Sequence, residues 1–256
     1  MKALGLLSIA LIFASGCSTT RSISNSAYQD TGWSGGAHGC IVSSPYSYRG
    51  ELNEFDVLGI DRDTLVSDNE IERALAQAKR VKLQPKSSIL LVQSGAAIPD
   101  GEMVSMLGQH FRVVPFSGVP ERNEGNSTAG HDQRQLSRAL RFAAARGGND
   151  IIVCYWGLIE SENEKLPGRT ISWVPVVNWM TPDQRQHMQV RLKLAVIDVR
   201  TGDWTFLGTP PVEARRLSIA PRREVTDQKL VENLKSLAYS AAVKELLNQY
   251  GPTERN

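Results

Sequence analysis

A surplus of positive charge is missing from this chain. Across 256 residues, 29 Lys and Arg stand against 27 Asp and Glu, and the formal net charge is +2. Nucleic-acid binding needs a basic face that displaces counterions, so no nucleic-acid partner is expected. Cysteine is scarce: Cys17, Cys40 and Cys154 form no Cys-x-x-Cys pair, which removes zinc ribbons and thioredoxin-like redox chemistry. The four histidines, His38, His110, His131 and His187, make no His-x-x-x-His or His-Glu-x-x-His spacing, so no metal site is assigned. There is no G-x-S-x-G elbow and no glycine-rich phosphate loop, so neither an α/β-type serine hydrolase nor a nucleotide cofactor is indicated. Ser94-Gly95 reads as a structural turn. Glu160, Glu162 and Glu164 alternate with polar residues and read as a solvated loop rather than an acid–base pair. No catalytic residue and no cofactor are assigned, and the chain is expected not to be an enzyme.

What is present begins at the N-terminus. Lys2 precedes an apolar stretch from Ala3 to Phe13, too short for a membrane-spanning helix of about 20 residues but laid out as a signal peptide. Ala14, Ser15 and Gly16 then lead into Cys17. Small residues followed by cysteine resemble the lipobox of bacterial lipoproteins. The resemblance implies cleavage before Cys17, a diacylglycerol carried on its thiol (with fatty acids of the palmitate class) and a membrane held through that lipid. Stable anchoring takes more than one acyl chain, and the resemblance implies acylation of the new amino terminus as well. Ser18, rather than Asp, follows the cysteine, which by the same resemblance implies the outer membrane, with the domain facing the periplasm. Residues 1–16 are thus the signal peptide. Residues 17–66, rich in Ser, Gly and Tyr over their first part, read as a lipidated tether.

A single domain is expected over residues 67–251, with 252–256 as a tail. Ser67 and Glu70 fit a capping box, followed by Ile71, Ala74, Leu75, Ala78 and Val81 at helical spacing. Ser88 to Gln93 reads as a strand buried on both faces, residues 100–110 as a short helix, and Phe111 to Phe116 as a second strand. A helix from Gln133 to Arg146, closed by Gly147 and Gly148, leads to a third buried strand, Asp150 to Trp156. That alternation argues for α/β architecture. The later pattern has an α+β tendency: strand-like runs at 170–180 and 188–199, a turn at Thr201-Gly202-Asp203, a returning strand from Trp204 to Leu207, and a further strand over Val212 to Ile219. A long helix from Thr226 to Tyr250 closes the domain, with a broad apolar stripe through Leu230, Leu234, Leu237 and Ala241 and their neighbours Val231, Ala238, Ala242 and Leu246. The expectation is a three-layer-like mixed sheet of about five to six strands with packing helices.

Phe111-Arg112-Val113-Val114 and the run ending Asp198-Val199-Arg200-Thr201-Gly202 resemble the α/β domain shared by the N-terminal part of the TolB translocation protein, the curli secretion lipoprotein and the lipoprotein activators of penicillin-binding proteins. The group's "V-L-P-F" start is here Leu91-Val92-Gln93-Ser94. The resemblance implies a domain that binds proteins or assembles.

The functional expectation is a lipid-anchored cell-envelope lipoprotein, a non-enzymatic protein-binding or assembly module with an unidentified envelope protein as partner. The alternatives are a self-assembling outer-membrane secretion-type homo-oligomer and an envelope hydrolase. Trp173 and Trp179, near Pro175 in an apolar run, mark a candidate partner surface, with strand packing as the other reading. Cys40 and Cys154 admit two readings: a disulfide tying the early segment to the core, or a buried Cys154 beside a free Cys40.

Overall fold

The run Ile89-Leu90-Leu91-Val92 offers no polar position, a pattern that suits only a strand covered on both sides. In the computed structural model, which describes residues 17–25, 48–62, 64–84, 86–120, 129–165, 184–218 and 223–250, this run lies in an inner strand, Ser88–Gln93, buried throughout. In chain order it is β2, preceded by β1 (Cys17–Ser22), α1 (Glu54–Leu58) and α2 (Asp68–Gln77). It is followed by α3 (Gly101–Gly108), β3 (Arg112–Phe116), α4 (Ala129–Arg146), β4 (Ile151–Lys165), β5 (Gln184–Asp198), β6 (Trp204–Gly208), β7 (Val212–Ser218) and α5 (Arg223–Tyr250). The fold is α/β, with a seven-stranded mixed sheet. The expected strand over 170–180 lies outside the described residues.

The sheet has two tiers that share β4 and β5. In the lower tier the order is β3-β2-β4-β5-β6, with β2 parallel to both β3 and β4. Pro115 has no N–H to give to a ladder, and its strand stands at the sheet edge as that chemistry requires. In the upper tier β4 and β5 run on past their partners. There β1 lies antiparallel to β4, from Ser22 opposite Leu158 to Cys17 opposite Asn163. β7 lies antiparallel to β5, from Val190 opposite Val212 to Gln184 opposite Ser218.

Helices cover both faces of the lower tier. Ile89, Leu91, Ile151, Val153, Tyr155, Leu194 and Val196 pack against Met103 and Leu107 of α3 and Leu234, Ala238, Ala242 and Leu246 of α5. Leu90, Val92, Ile152, Cys154, Ala195 and Ile197 turn the other way, toward Val57 of α1 and Leu140 and Ala144 of α4. Each such fully buried aliphatic side chain contributes about 1.5–3 kcal/mol relative to exposure. This division explains a change along β5: Gln189, Arg191 and Lys193 occupy the same alternating face as Ala195 and Ile197, but only the latter pair lies under the helices.

Four expectations change. The segment read as a tether is partly domain. Residues 17–22 form an edge strand, a 3-10 turn follows at Ile23–Asn25, and α1 docks on α4. Glu160, Glu162 and Glu164 lie on β4, paired with Gln189, His187 and Arg185 of β5, rather than in a loop. The helix α2 ends at Gln77, short of the last expected stripe positions, and every residue in it is exposed; of the expected stripe only Val81, past the helix end, joins the core. In α5 the stripe packs through Leu230, Val231, Leu234, Ala238, Ala242 and Leu246, but Leu237 faces water and Tyr239, outside the stripe, is buried.

Candidate functional site

In an open α/β sheet the crevice for ligands opens where successive crossovers leave in opposite directions, beyond the carboxyl ends of the strands. Here β2 passes through α3 to β3, and β3 returns through α4 on the other face to β4. The switch point therefore lies beyond Gln93 of β2 and Tyr155 of β4, and the chain's own early residues fill it.

Ser94 is buried, and its hydroxyl accepts from the Leu52 N–H at 2.7 Å while its carbonyl accepts from the Ser24 hydroxyl at 2.6 Å. The Gln93 amide N–H donates to Ser24 Oγ at 2.9 Å, and its oxygen accepts from the Tyr155 hydroxyl at 2.6 Å and the Asp100 N–H at 2.7 Å. Asp100 in turn accepts from the Tyr239 hydroxyl and lies 2.6 Å from the Lys235 ammonium. The Lys235 ammonium also donates to the Ile23 carbonyl at 3.5 Å. Ser22 donates to Glu51, whose other oxygen is buried with no partner among the described residues. Gly118 permits the closest approach: a Cβ there would stand 1.9 Å from the Gln93 carbonyl oxygen.

The electrostatics fit a structural lock. Burial pushes the Tyr155 phenol well above its ordinary range, and the Asp100 charge adds to the effect. Burial likewise raises Tyr239, with Tyr155 and Asp100 adding. Both phenols are held neutral, as donors, and their rings meet edge to face at 6.0 Å. Ser94, read from sequence as a structural turn residue, thus holds both early segments by hydrogen bonds. Sequence reasoning did not find Ser24, Gln93, Asp100, Lys235 or Tyr239, because each finds its partner far along the chain. Only the polar endings of two otherwise apolar strands, Gln93-Ser94 and Tyr155, hinted at them.

The upper tier presents a polar face. Gln189 donates to Glu160, Arg191 lies 3.2 Å from the same carboxylate, and His187 lies 3.4 Å from Glu213. Thr19, Thr20, Glu160, Glu162, His187 and Gln189 line a shallow groove of about 250 Å³. Glu160 and His187 of this lining already meet Arg191 and Glu213 beside it, and among the described residues no cluster of His, Cys, Asp or Glu is placed to hold a metal ion.

The remaining sequence-predicted residues separate. Cys17 is the first residue of β1, opposite Asn163. Cys154, in no disulfide among the described residues, lies in the second core layer, its thiol raised well above its usual range by burial, with the Glu51 and Glu54 charges adding. Cys40, Trp173 and Trp179 lie outside the described residues. Trp156 packs against Phe206 at 6.4 Å and donates to the Leu52 carbonyl at 2.8 Å. On α2, Glu70 reaches back to the Ser67 N–H at 2.8 Å, as the capping pattern required. The stripe it orients is bare: Leu75 is 72 % and Ile71 49 % exposed, and Leu65 and Val66 just before the helix are exposed too.

No helix among the described residues is long and apolar enough to cross a membrane. Residues 53–249, from the cap of α1 almost to the end of α5, match the family described as YafT bacterial lipoprotein. No curated protein matches the chain.

Proposed function

From the premise that this chain belongs to the YafT bacterial lipoprotein family, we propose that it is an outer-membrane lipoprotein, anchored through Cys17, whose periplasmic domain binds a partner protein without catalysis. That it is a cell-envelope lipoprotein follows from the family; the membrane, the lipidated residue and the binding role are the proposal. The observation that carries the binding role is α2. A capped amphipathic helix whose apolar side chains all face water has a surface that a partner would cover. The filled switch-point crevice supports the same reading, since the position at which α/β folds usually take small ligands is occupied by Ser24 and Leu52. Trp173 and Trp179 belong to the proposed partner surface on the sequence argument alone. The likeness to the TolB N-terminal domain, the curli secretion lipoprotein and the penicillin-binding-protein activators stands as part of this proposal. It is supported by β3 and the turn after Asp198.

Capture from detergent-solubilised envelopes with the full chain tagged at its C-terminus tests the binding role. One envelope protein enriched in near-stoichiometric amount by the native chain, and lost from an Ile71→Asp, Leu75→Asp variant, is the expected result. A bait recovered alone as a defined large oligomer would replace it with self-assembly; a bait recovered alone as a monomer would sink it.

A further inference from the structure

The residue that carries the lipid on this reading is not separated from the folded domain by any tether. Cys17 is itself the first residue of β1, and that strand is paired with β4 over six residues, from Cys17 opposite Asn163 to Ser22 opposite Leu158. The strand continues into the lock described above: Ile23 is 1 % exposed, and Ser24 is bonded to Gln93 and Ser94. The anchoring point is therefore fixed relative to the body of the protein.

It is fixed at one particular end. Cys17 and Ser18 stand opposite Asn163 and Glu162, beside the last residues of β4, the first residues of β5 and the last residues of β7. From this end to the Ile151–Asp198 pair at the other end, β4 runs 12 residues, or about 40 Å at strand rise.

We propose that the far end of the β1-β4-β5-β7 tier is a membrane-apposed face, held against the lipid headgroups by a Cys17 anchor that has no slack, with the helix-covered tier carried at a set height above the bilayer. This rests on the lipoprotein reading and goes beyond it, because a lipid on a free tether would leave the domain in any orientation. A single bilayer-facing end then follows from the register of one edge strand.

The test uses the lipidated full chain, reconstituted in phosphatidylethanolamine–phosphatidylglycerol vesicles that contain a lipid-borne collisional quencher. A fluorophore is placed at Glu162→Cys or at Arg200→Cys, each in a Cys40→Ser background; Cys154 is buried and stays unlabelled. Flotation with the vesicles, lost in Cys17→Ala, reports the anchor separately from its geometry. Quenching several-fold stronger at position 162 than at 200 is the expected result. A flexible Gly-Ser linker of about 15 residues between Cys17 and Ser18 should bring the two positions level. Floating protein with equal quenching at both positions, or stronger quenching at 200, overturns the membrane-apposed face and leaves the anchor standing. Failure of the parent chain to float overturns the anchor, and this inference with it.

Discussion

The Lys235 ammonium lies 2.6 Å from the Asp100 carboxylate, with the two side chains only 13 % and 14 % exposed. This pair joins the long closing helix to the loop after β2, and through the Ile23 carbonyl it also holds the residues next to the proposed anchor. A buried ion that loses its partner is costly, because the remaining charge keeps its desolvation without compensation. Lys235→Met is expected to lower unfolding free energy by about 3 kcal/mol, read from urea denaturation midpoints. Adding Asp100→Asn should restore part of that loss. A single variant as stable as the native chain would remove the pair from the lock.

Ile23 fills the space that Gly157 leaves open: a Cβ at 157 would stand 2.7 Å from Ile23 and Leu192 side-chain atoms. Ile23→Ala should therefore cost about 3 kcal/mol, from lost burial and a residual cavity, and Gly157→Ala should displace Ile23 by overpacking. Both variants should speed tryptic cleavage after Arg21, assayed by mass spectrometry. In vesicles that cleavage should release the domain into the soluble fraction.

The uncovered helix makes the opposite forecast. Ile71→Asp or Leu75→Asp removes no packing, so stability should shift by less than about 0.5 kcal/mol. Partner capture should nonetheless fall. Equal destabilisation and loss of capture would mean that the helix is packed in solution after all.

Hydrogen bonds from the Ser67 backbone and hydroxyl hold the Glu70 carboxyl below its ordinary range. A carboxylate with a depressed folded value stabilises fully above its unfolded pKa of about 4.3, and its contribution disappears as pH falls through the lower folded value. An NMR carboxyl titration should place the Glu70 midpoint below that of an unrestrained glutamate, and Ser67→Ala should return it upward. The helix should lose order over the same acidic window.

Cys154 should not react with a thiol reagent in the folded protein, because burial both hides it and suppresses its thiolate. In a Cys40→Ser background it should react fully and at once in denaturant. In the native sequence under denaturant, reaction only after reductant is added would establish the Cys40–Cys154 bridge; immediate reaction of both thiols would establish its absence.

How much of this could be read beforehand depended on whether a residue's partner was its neighbour. β2, β3, α3 and the Asp198 turn are local: apolar runs bounded by breakers, and an aspartate accepting from Arg200 and Thr201 N–H groups at 2.9 and 2.8 Å. The outer half of β4 was not legible. Glu160, Glu162 and Glu164 carry no apolar signal, and the strand that holds them is set by ladder bonds to β5 and by the buried Ile159. β1 was hidden for a similar reason, having one large apolar residue, Ile23, just past its end. The periodicity of α2 specifies a helix and an apolar face but not what covers that face, and within the helix nothing does. The polar lock was out of reach because Gln93 and Ser24 are 69 residues apart.

The pairing of β1 with β4 also has a mechanical consequence. If the bilayer holds Cys17 while something else pulls on the domain, tension enters β1 along its own axis. Its bonds to β4 lie across that axis, so the whole ladder is loaded together in shear rather than peeled open one bond at a time. An edge strand six residues long then acts as a strain-bearing joint, and the grip of the domain on its anchor depends on a ladder that must fail all at once.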